Sequence, residues 1–247
     1  MAARDEIIAY ANELLDVDSF PDYGPMGMQV VGAPEVQRIA CGVSASLELF
    51  ERARGVGAQL LIVHHGLFLN SDPRVVDTRM RARLQALFDG DVTLAAYHLA
   101  LDAHPEIGNN AMLARELDVE PDGRFAEIGI GGRLRTPSEL PRFVERAKEI
   151  VGADPLVFAE GPPTIERVAI VSGRAGRFLP AASEAGYDLF FTGEAEEPSL
   201  HTARELGIHF VAGGHYATER LGVQALSAKL AERFGLEWEF LELPNPV

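Results

Sequence analysis

Adjacent histidines at the end of an apolar run are the first feature of this chain that could carry chemistry. His64 and His65 directly follow residues 60–63, whose composition is typical of a buried strand. Successive side chains on a strand point to opposite faces, so two imidazoles at a strand end can serve two metal ions. We therefore predict that both histidines are metal ligands.

A second segment places His98 and Asp102 just beyond another strand-like run, at residues 92–97. An aspartate that leaves a strand in this way can reach a metal bound at the strand end. Asp102 also has a competing interpretation, as the N-cap of a helix that starts near Pro105. We favour the metal ligand.

Two further segments lie in the second part of the chain. Glu194 follows Thr192 and Gly193, while His215 and Glu219 are four residues apart after a pair of glycines. If a helix begins near residue 216, the side chains of His215 and Glu219 face one way. Either motif alone is weak evidence for a metal site, but the histidines earlier in the chain strengthen that interpretation.

Together these segments predict a metal site with mixed nitrogen and oxygen ligands. The predicted ligands are His64, His65, Asp102, His215 and Glu219. This set suits two divalent ions of Zn, Mn, Fe or Ni better than Ca or Mg. His98 and Glu194 are then available to orient ligands, contact substrate or transfer protons. The other histidines, His104, His201 and His209, are predicted to be structural, with His209 pointing outward from a strand.

Composition narrows the classes of function. The chain has 247 residues and a formal net charge of −15, which argues against nucleic acid as a partner because nucleic-acid binders cluster Lys and Arg. No apolar stretch is long enough to span a membrane, and the N-terminal residues do not resemble a signal peptide. The single cysteine, Cys41, fits a reducing compartment. We expect a cytoplasmic protein with no membrane partner.

Strands and helices alternate along most of the chain, which predicts a three-layer α/β fold. The first part is predicted to contain a helix at 4–15, a loop at 19–32, strands at 39–43, 60–63 and 92–97, and helices at 47–54 and 76–88. The second part is predicted to contain strands at 126–134, 156–158, 168–171, 189–192, 208–211 and 237–243, and helices at 139–151, 178–185 and 216–234.

The strand from residue 168 is similar to the one from residue 39, and the later strands keep the same order. This self-similarity predicts a single unit of duplicated α/β halves with mixed sheets, divided at about 1–125 and 126–247. Open α/β sheets bind ligands beyond the carboxyl ends of their strands. We therefore expect the metal site in the crevice between the halves.

The combination of motifs resembles the GTP cyclohydrolase 1 type 2 family, also called the Nif-three-like dinuclear metal-centre proteins. The matching motifs are His64-His65-Gly66-Leu67-Phe68, His98-Leu99-Ala100-Leu101-Asp102, the run from Gly186 to Glu194, and Gly214-His215-Tyr216-Ala217-Thr218-Glu219. The resemblance covers nearly the whole chain and corresponds to the short form, without an inserted middle domain. It implies that the five predicted ligands hold a dinuclear centre and that the chain assembles as a hexameric ring of dimers.

The chain departs from the family pattern at three places. The stretch 21–29 replaces a Trp-Asp-Asn-x-Gly-Leu-like segment, Gly66 stands where proline commonly follows the paired histidines, and Pro198 stands where a histidine is often found. These departures leave the five ligands in place and affect the surface that would face substrate.

The leading functional hypothesis is a metal-dependent hydrolase of the cyclohydrolase type, in which two ions activate a bridging water. Its substrate would be a small molecule, and the resemblance implies a purine nucleotide. One alternative is a non-catalytic metal- or partner-binding protein, and a further alternative is a two-metal phosphoesterase. The surplus of polar groups beyond the ligands, His98 and Glu194, favours catalysis.

Overall fold

A computed structural model describes residues 1–72 and 75–247, which form a mixed α/β fold. The strands are β1 (Ala2–Ala3), β2 (Gly27–Val30), β3 (Glu35–Val36), β4 (Arg38–Ser44), β5 (Leu60–His65), β6 (Thr93–Ala96), β7 (Val119–Phe125), β8 (Gly129–Ser138), β9 (Leu156–Phe158), β10 (Ile165–Val171), β11 (Leu189–Thr192), β12 (His209–Ala212) and β13 (Glu237–Phe240). The helices are α1 (Arg4–Leu15), α2 (Leu47–Gly55), α3 (Thr78–Asp89), α4 (Leu99–Asp102), α5 (Asn109–Glu116), α6 (Leu140–Val151), α7 (Leu179–Glu184), α8 (Ser199–Leu206) and α9 (His215–Phe234). Among the described residues, no helix combines the length and the apolar character needed to cross a membrane.

The described chain separates into two compact units. The first contains Met1–Leu101 and Gly222–Leu243, and the second contains Asp102–Leu221 and Pro244–Val247. These units do not coincide with the expected halves, because β7 pairs with β8 in the second unit and β13 returns to pair with β4 in the first. The internal duplication itself stays a prediction.

The sheet of the first unit is mixed and has the order β13-β4-β5-β6-β2. Strands β13, β4, β5 and β6 run parallel, and β2 pairs antiparallel with β6. Residues 60–64 of the central strand β5 are buried: Leu61 and Val63 lie in one core cluster, and Leu60 and Ile62 are fully buried as well. A strand buried on both faces has a continuous apolar sequence, which is why its position could be predicted.

The sheet of the second unit has the order β7-β8-β10-β11-β12-β9, with β10, β11 and β12 parallel. Alternate residues of β10 enter different cores: Val168 and Ile170 pack with residues of α5 and α6, whereas Ala169 and Val171 pack with residues of α7 and α8. Helices therefore cover both faces of this sheet, which gives the predicted three layers within the second unit.

Local signals account for several helix ends. The Ser46 hydroxyl accepts a hydrogen bond from the Leu49 N–H at the start of α2, and Asp77 caps α3 through the Met80 N–H. Helix α6 ends at Gly152, whose φ of 78° lies in the left-handed region that glycine adopts without strain.

Most of the predicted elements are confirmed, and α1 and β9 have the predicted bounds. The prediction of a loop at 19–32 is wrong in part, because residues Gly27–Val30 form β2 on the sheet edge beside β6. Strand β7 was not predicted; most of its residues are exposed, so it lacks an apolar alternation.

His209 does not point outward as predicted. Its side chain is buried, its Nδ1 accepts a hydrogen bond from the Gly161 N–H at 3.0 Å, and its Nε2 lies 2.8 Å from the Pro162 carbonyl oxygen. Because helices cover both faces of this sheet, alternation along β12 does not lead to solvent on either side. The histidine instead holds a loop against the strand, which agrees with its predicted structural role.

Candidate functional site

Three histidines of the first unit lie together at the carboxyl end of its sheet. His64 and His65 end β5, and His98 follows the neighbouring parallel strand β6, so both strand ends lie at one edge. One ring nitrogen of each lies within 4.8 Å of those of the other two. The ring centroids are 4.8 Å apart for His64 and His65 and 4.9 Å apart for His64 and His98.

The two strand-end histidines are held through the same ring nitrogen. The Nδ1 of His64, which is fully buried, lies 2.9 Å from the Tyr97 carbonyl oxygen. Because a carbonyl only accepts hydrogen bonds, Nδ1 carries the proton and donates it. The Nδ1 of His65 lies 3.0 Å from the Ser44 hydroxyl, its register partner on β4. Contacts of this kind fix the ring orientation of metal-ligating histidines and direct Nε2 to the metal.

His98 is held by a carboxylate that sequence analysis missed. Asp22 lies in the segment predicted as a loop, yet its side chain is only 3% exposed and its Oδ1 is 2.8 Å from His98 Nδ1. Burial would raise the pKa of Asp22, but hydrogen bonds from His98 and from the backbone N–H groups of Leu99 and Tyr23 outweigh it and lower that pKa. The sequence did contain a signal for this role, because Asp22 stands in the stretch 21–29 that replaces the family's Trp-Asp-Asn segment.

Gly66 allows β2 to approach the end of β5. The Leu67 N–H donates to Gln29 Oε1 at 2.7 Å, and a Cβ at position 66 would lie 2.3 Å from Gln29 Nε2. A side chain at position 66 would therefore require the end of the Gln29 side chain to move, and its Cβ would also lie 2.8 Å from the Cβ of Ala96.

In the second unit, His215 is held by two glutamates. It begins α9, and its Nδ1 forms a short hydrogen bond with Glu194, while its Nε2 lies 3.1 Å from Glu219 Oε2. The predicted same-face arrangement of His215 and Glu219 is therefore present. Burial would lower the pKa of His215, but hydrogen bonds and charges of Glu219 and Glu194 outweigh it and raise the pKa to about 9.

Asp102 is held by other groups of the second unit. Its Oδ1 accepts from Asn109 Nδ2 at 2.8 Å and from the Ser172 hydroxyl at 3.2 Å. The alternative interpretation as a helix N-cap is wrong, since α5 begins at Asn109 and its N-cap position is Gly108. Asp102 is the last residue of α4 and is 3% exposed, so its carboxylate is oriented by side chains and not by a helix end.

Gly173 lies close to Thr218, Glu219 and His215, and sequence analysis missed it as well. It follows β10 with φ of +64°, and its N–H donates to the Thr218 hydroxyl at 3.0 Å. A Cβ there would lie 2.0 Å from Glu219 Oε1 and 3.3 Å from His215 Nε2. The glycine thus allows the backbone to approach the carboxylate closely. Its signal in the sequence was the Ser-Gly pair directly after a predicted strand.

Considered separately, the two units offer different ligands. The first brings together His64, His65 and His98, and the second brings His215 together with Glu194 and Glu219 and orients Asp102. Imidazole nitrogens and carboxylate oxygens whose far sides are held by hydrogen bonds match the donors that transition metals take in proteins.

The profile of the family Duf34/NIF3 (NGG1p interacting factor 3) matches residues 2–246. The chain belongs to the Duf34/NIF3 family. A Pseudomonas aeruginosa protein named GTP cyclohydrolase 1 type 2 homolog is 42% identical over 251 residues, covering 99% of each chain. An Escherichia coli K12 protein of the same name is 41% identical over 246 residues, covering 98% of each. The resemblance seen in the motifs is confirmed.

Solved structures of similar proteins share the fold over the whole chain. The structure of protein ybgI superposes with a TM-score of 0.96 at 39% identity, covering 100% of both chains. The crystal structure of TTHA1606 from Thermus thermophilus gives a TM-score of 0.93 at 38% identity, again covering 100% of both. The predicted fold class is therefore confirmed.

Proposed function

We propose that this Duf34/NIF3 chain is a metal-dependent hydrolase that binds two divalent ions. The proposed ligands are His64, His65, Asp102, His215 and Glu219, and the candidate ions are Zn, Mn, Fe or Ni. The observation that carries the proposal is that hydrogen bonds orient the predicted ligands within each unit, with Nδ1 of every histidine ligand held by a neighbouring group. Such contacts are typical of metal-ligating histidines.

The chemistry of the donors supports transition metals. Three imidazoles and two carboxylates form a set that Zn, Mn, Fe and Ni accept, whereas Ca and Mg prefer oxygen ligands. The close approach of Gly173 to Glu219 leaves no room for a side chain beside that carboxylate.

When bound, two ions supply Lewis-acid chemistry that lowers the pKa of a water and polarises the bond to be hydrolysed. We propose that His98 accepts and returns the proton in that reaction, as a general base and acid. Glu194 has a different proposed role, because it contacts His215 Nδ1 directly. It orients that ring by accepting the Nδ1 proton.

The substrate class comes from the relatives. Because they are named GTP cyclohydrolase 1 type 2 homolog, we propose a small-molecule substrate of the purine nucleotide type, whose imidazole ring is opened by water.

We also propose a homo-oligomer, a hexameric ring of dimers. A cytoplasmic location is proposed on the acidic composition and the single cysteine.

Metal content is the experiment that tests the proposal. The full chain is purified without added metal, and metal per chain is measured by elemental mass spectrometry before and after incubation with Zn²⁺ or Mn²⁺. We expect about two ions per chain, as in two-metal sites, and one or none in His65→Ala and Asp102→Ala. His201→Ala is the matched control, because His201 is exposed on α8.

The outcomes separate the competing functions. Full metal content in His65→Ala and Asp102→Ala contradicts the ligand set. With the metal confirmed, a screen of purine nucleotides beside phosphoesters distinguishes the cyclohydrolase from the two-metal phosphoesterase. A loaded protein that hydrolyses neither class is the result expected for a non-catalytic metal- or partner-binding protein.

A further inference from the structure

A buried carboxylate outside the proposed ligand set contacts a proposed catalytic histidine. Asp22 accepts hydrogen bonds on both oxygens: Oδ1 from His98 Nδ1 at 2.8 Å and from the Tyr23 N–H at 2.6 Å, and Oδ2 from the Leu99 N–H at 2.9 Å. A carboxylate that serves donors on both oxygens acts as an acceptor only. The proton in the bond to His98 must therefore be on Nδ1.

The backbone around this carboxylate is held in place. The Asn70 N–H donates to the Tyr23 carbonyl oxygen at 2.7 Å, and Asn70 Nδ2 donates to the Asp22 carbonyl oxygen at 3.2 Å. Pro21 directly precedes Asp22, and its ring fixes the φ angle of Pro21 itself. Asp22 and His98 are separated by 76 positions in the chain, so their contact is built by the tertiary fold and not by local sequence.

Among the four histidines proposed for the site, His98 differs in what its contact would do. A neutral imidazole has one protonated nitrogen and one that accepts, and the partner of one nitrogen decides which is which. His64 is a proposed metal ligand and is held by a carbonyl, whereas His98 is proposed to move a proton. A carboxylate at Nδ1 both fixes the tautomer and stabilises the imidazolium that forms when Nε2 accepts a proton.

We propose that Asp22 is the positioning residue of His98: it fixes the Nδ1–H tautomer, so that Nε2 is the nitrogen that accepts and returns a proton. The role of His98 Nε2 in proton transfer rests on the function proposed above, whereas the assignment of the Nδ1–H tautomer does not. Asp22 acts through His98, since its carboxylate accepts from His98 and from the backbone of Tyr23 and Leu99, none of which is a proposed metal ligand.

Replacing Asp22 by alanine removes the acceptor at this position. Asparagine would be a poorer test, because an amide has one acceptor oxygen and one donor nitrogen. In either orientation that nitrogen would oppose a backbone N–H, that of Tyr23 at the Oδ1 position or that of Leu99 at the Oδ2 position. Asp22→Ala leaves no carboxylate to accept from Nδ1, so the Nδ1–H tautomer of His98 should lose its preference.

The tautomer is measured directly by magic-angle-spinning NMR of the full chain, labelled with ¹⁵N-histidine and loaded with Zn²⁺, at a pH where His98 is neutral. The His98 signals are assigned as those lost in His98→Gln. We expect a protonated Nδ1 in the wild type and an increased fraction protonated at Nε2 in Asp22→Ala. Asp72→Ala is the matched control, because Asp72 also accepts a backbone N–H but does so from Leu69, outside the histidine cluster.

A wild-type His98 protonated at Nε2 overturns the proposal without any variant, and so does a His98 signal that is unchanged in a folded Asp22→Ala. The signals of the other histidines report whether the variants fold. With a substrate identified, Asp22→Ala should lower kcat on the order of 10²–10⁴-fold at unchanged KM and metal content, and Asp72→Ala should not. Failure to bind Zn²⁺ contradicts the proposed function and leaves the tautomer result to be decided in the metal-free chain.

Discussion

The proposed histidine ligands of the first unit are held by neutral groups, whereas the histidine ligand of the second unit is held by charged ones. A carbonyl and a hydroxyl orient His64 and His65, whereas two glutamates surround His215. Neutral partners place no charge beside the imidazoles of the first unit. Carboxylates supply negative charge but also hold a proton on the ring, which is why the pKa of His215 is raised to about 9.

This contrast follows from the way each ligand type is positioned. Adjacent imidazoles need only a strand that ends at the sheet edge, because alternation then sends them to opposite faces. Buried carboxylates cost free energy unless hydrogen bonds or charges compensate them. The second unit therefore uses more of its structure: Asn109 and Ser172 orient Asp102, and Gly173 makes room for Glu219.

The largest expected effect is the loss of Zn²⁺ affinity when a proposed ligand is replaced, and it differs between a charged ligand of the second unit and a neutral ligand of the first. Glu219→Gln removes a negative charge and His65→Gln removes a neutral ligand, at similar side-chain size. We expect both to weaken Zn²⁺ binding by more than about 100-fold, the upper end for residues that only orient ligands, with the larger loss in Glu219→Gln. Competition with a fluorescent chelator measures the affinities. Equal losses would show that charge does not distinguish the two units.

Gly173→Ala tests the close approach to Glu219. The left-handed backbone costs on the order of 1–3 kcal/mol for a non-glycine residue, and the new Cβ would lie 2.0 Å from Glu219 Oε1. We expect a lower free energy of unfolding together with weaker Zn²⁺ binding. Gly57→Ala is the control, because Gly57 has a similar φ of +70° with nothing within 4 Å of its Cβ position.

Chemical denaturation and chelator competition give the two quantities for each variant. Gly57→Ala should lose stability only, so Zn²⁺ affinity separates backbone strain from the collision with Glu219. Unchanged affinity in a folded Gly173→Ala would contradict the role assigned to this glycine.

A smaller effect is expected from the groups that hold the histidines. Glu194→Gln removes one of the two charged partners of His215, and Ser44→Ala removes the neutral partner of His65. Residues of this kind contribute about 10–100-fold in metal affinity. We expect Glu194→Gln near the upper end and Ser44→Ala near the lower end, measured by the same competition. The reverse order would show that the hydroxyl, and not the carboxylate, is the stronger orienting group.

The sequence predicted the strand-end histidines because a continuous apolar run identifies a buried strand without any knowledge of its neighbours. It predicted the pairing of His215 and Glu219 because that geometry is local to one helix turn. Asp22 was missed for the opposite reason. Its partners, His98 and Leu99, meet it only in the folded chain, and the proline- and glycine-rich segment around it predicted a loop.

Long-range pairing also explains what was not predicted in the fold. Strand β13 pairs with β4 across almost the whole length of the chain, so residues after 221 belong largely to the first unit. Hydrophobic periodicity locates a strand but carries no information about its partner. The predicted halves therefore followed the order of elements, whereas the compact units follow the sheets.

The last comparison between the two units is their response to pH. Without metal, the His215 pKa of about 9 exceeds the ordinary value of 6.5. Its contribution to folding stability is therefore complete below about pH 6.5 and is lost as the pH rises through about 9. Metal binding has the opposite dependence, because Nε2 must lose its proton before it can bind an ion.

We therefore expect Zn²⁺ affinity to rise by up to about tenfold per pH unit across this window, while the metal-free chain loses stability. Thermal unfolding in EDTA and chelator competition, both from about pH 6.5 to about pH 9.5, measure the two trends. The difference between wild type and His215→Gln isolates this ring from other titrating groups, and His65→Gln should keep the stability trend. Parallel pH trends in wild type and His215→Gln would show that the glutamates do not hold a proton on His215, and the charge contrast between the units would then lose its main support.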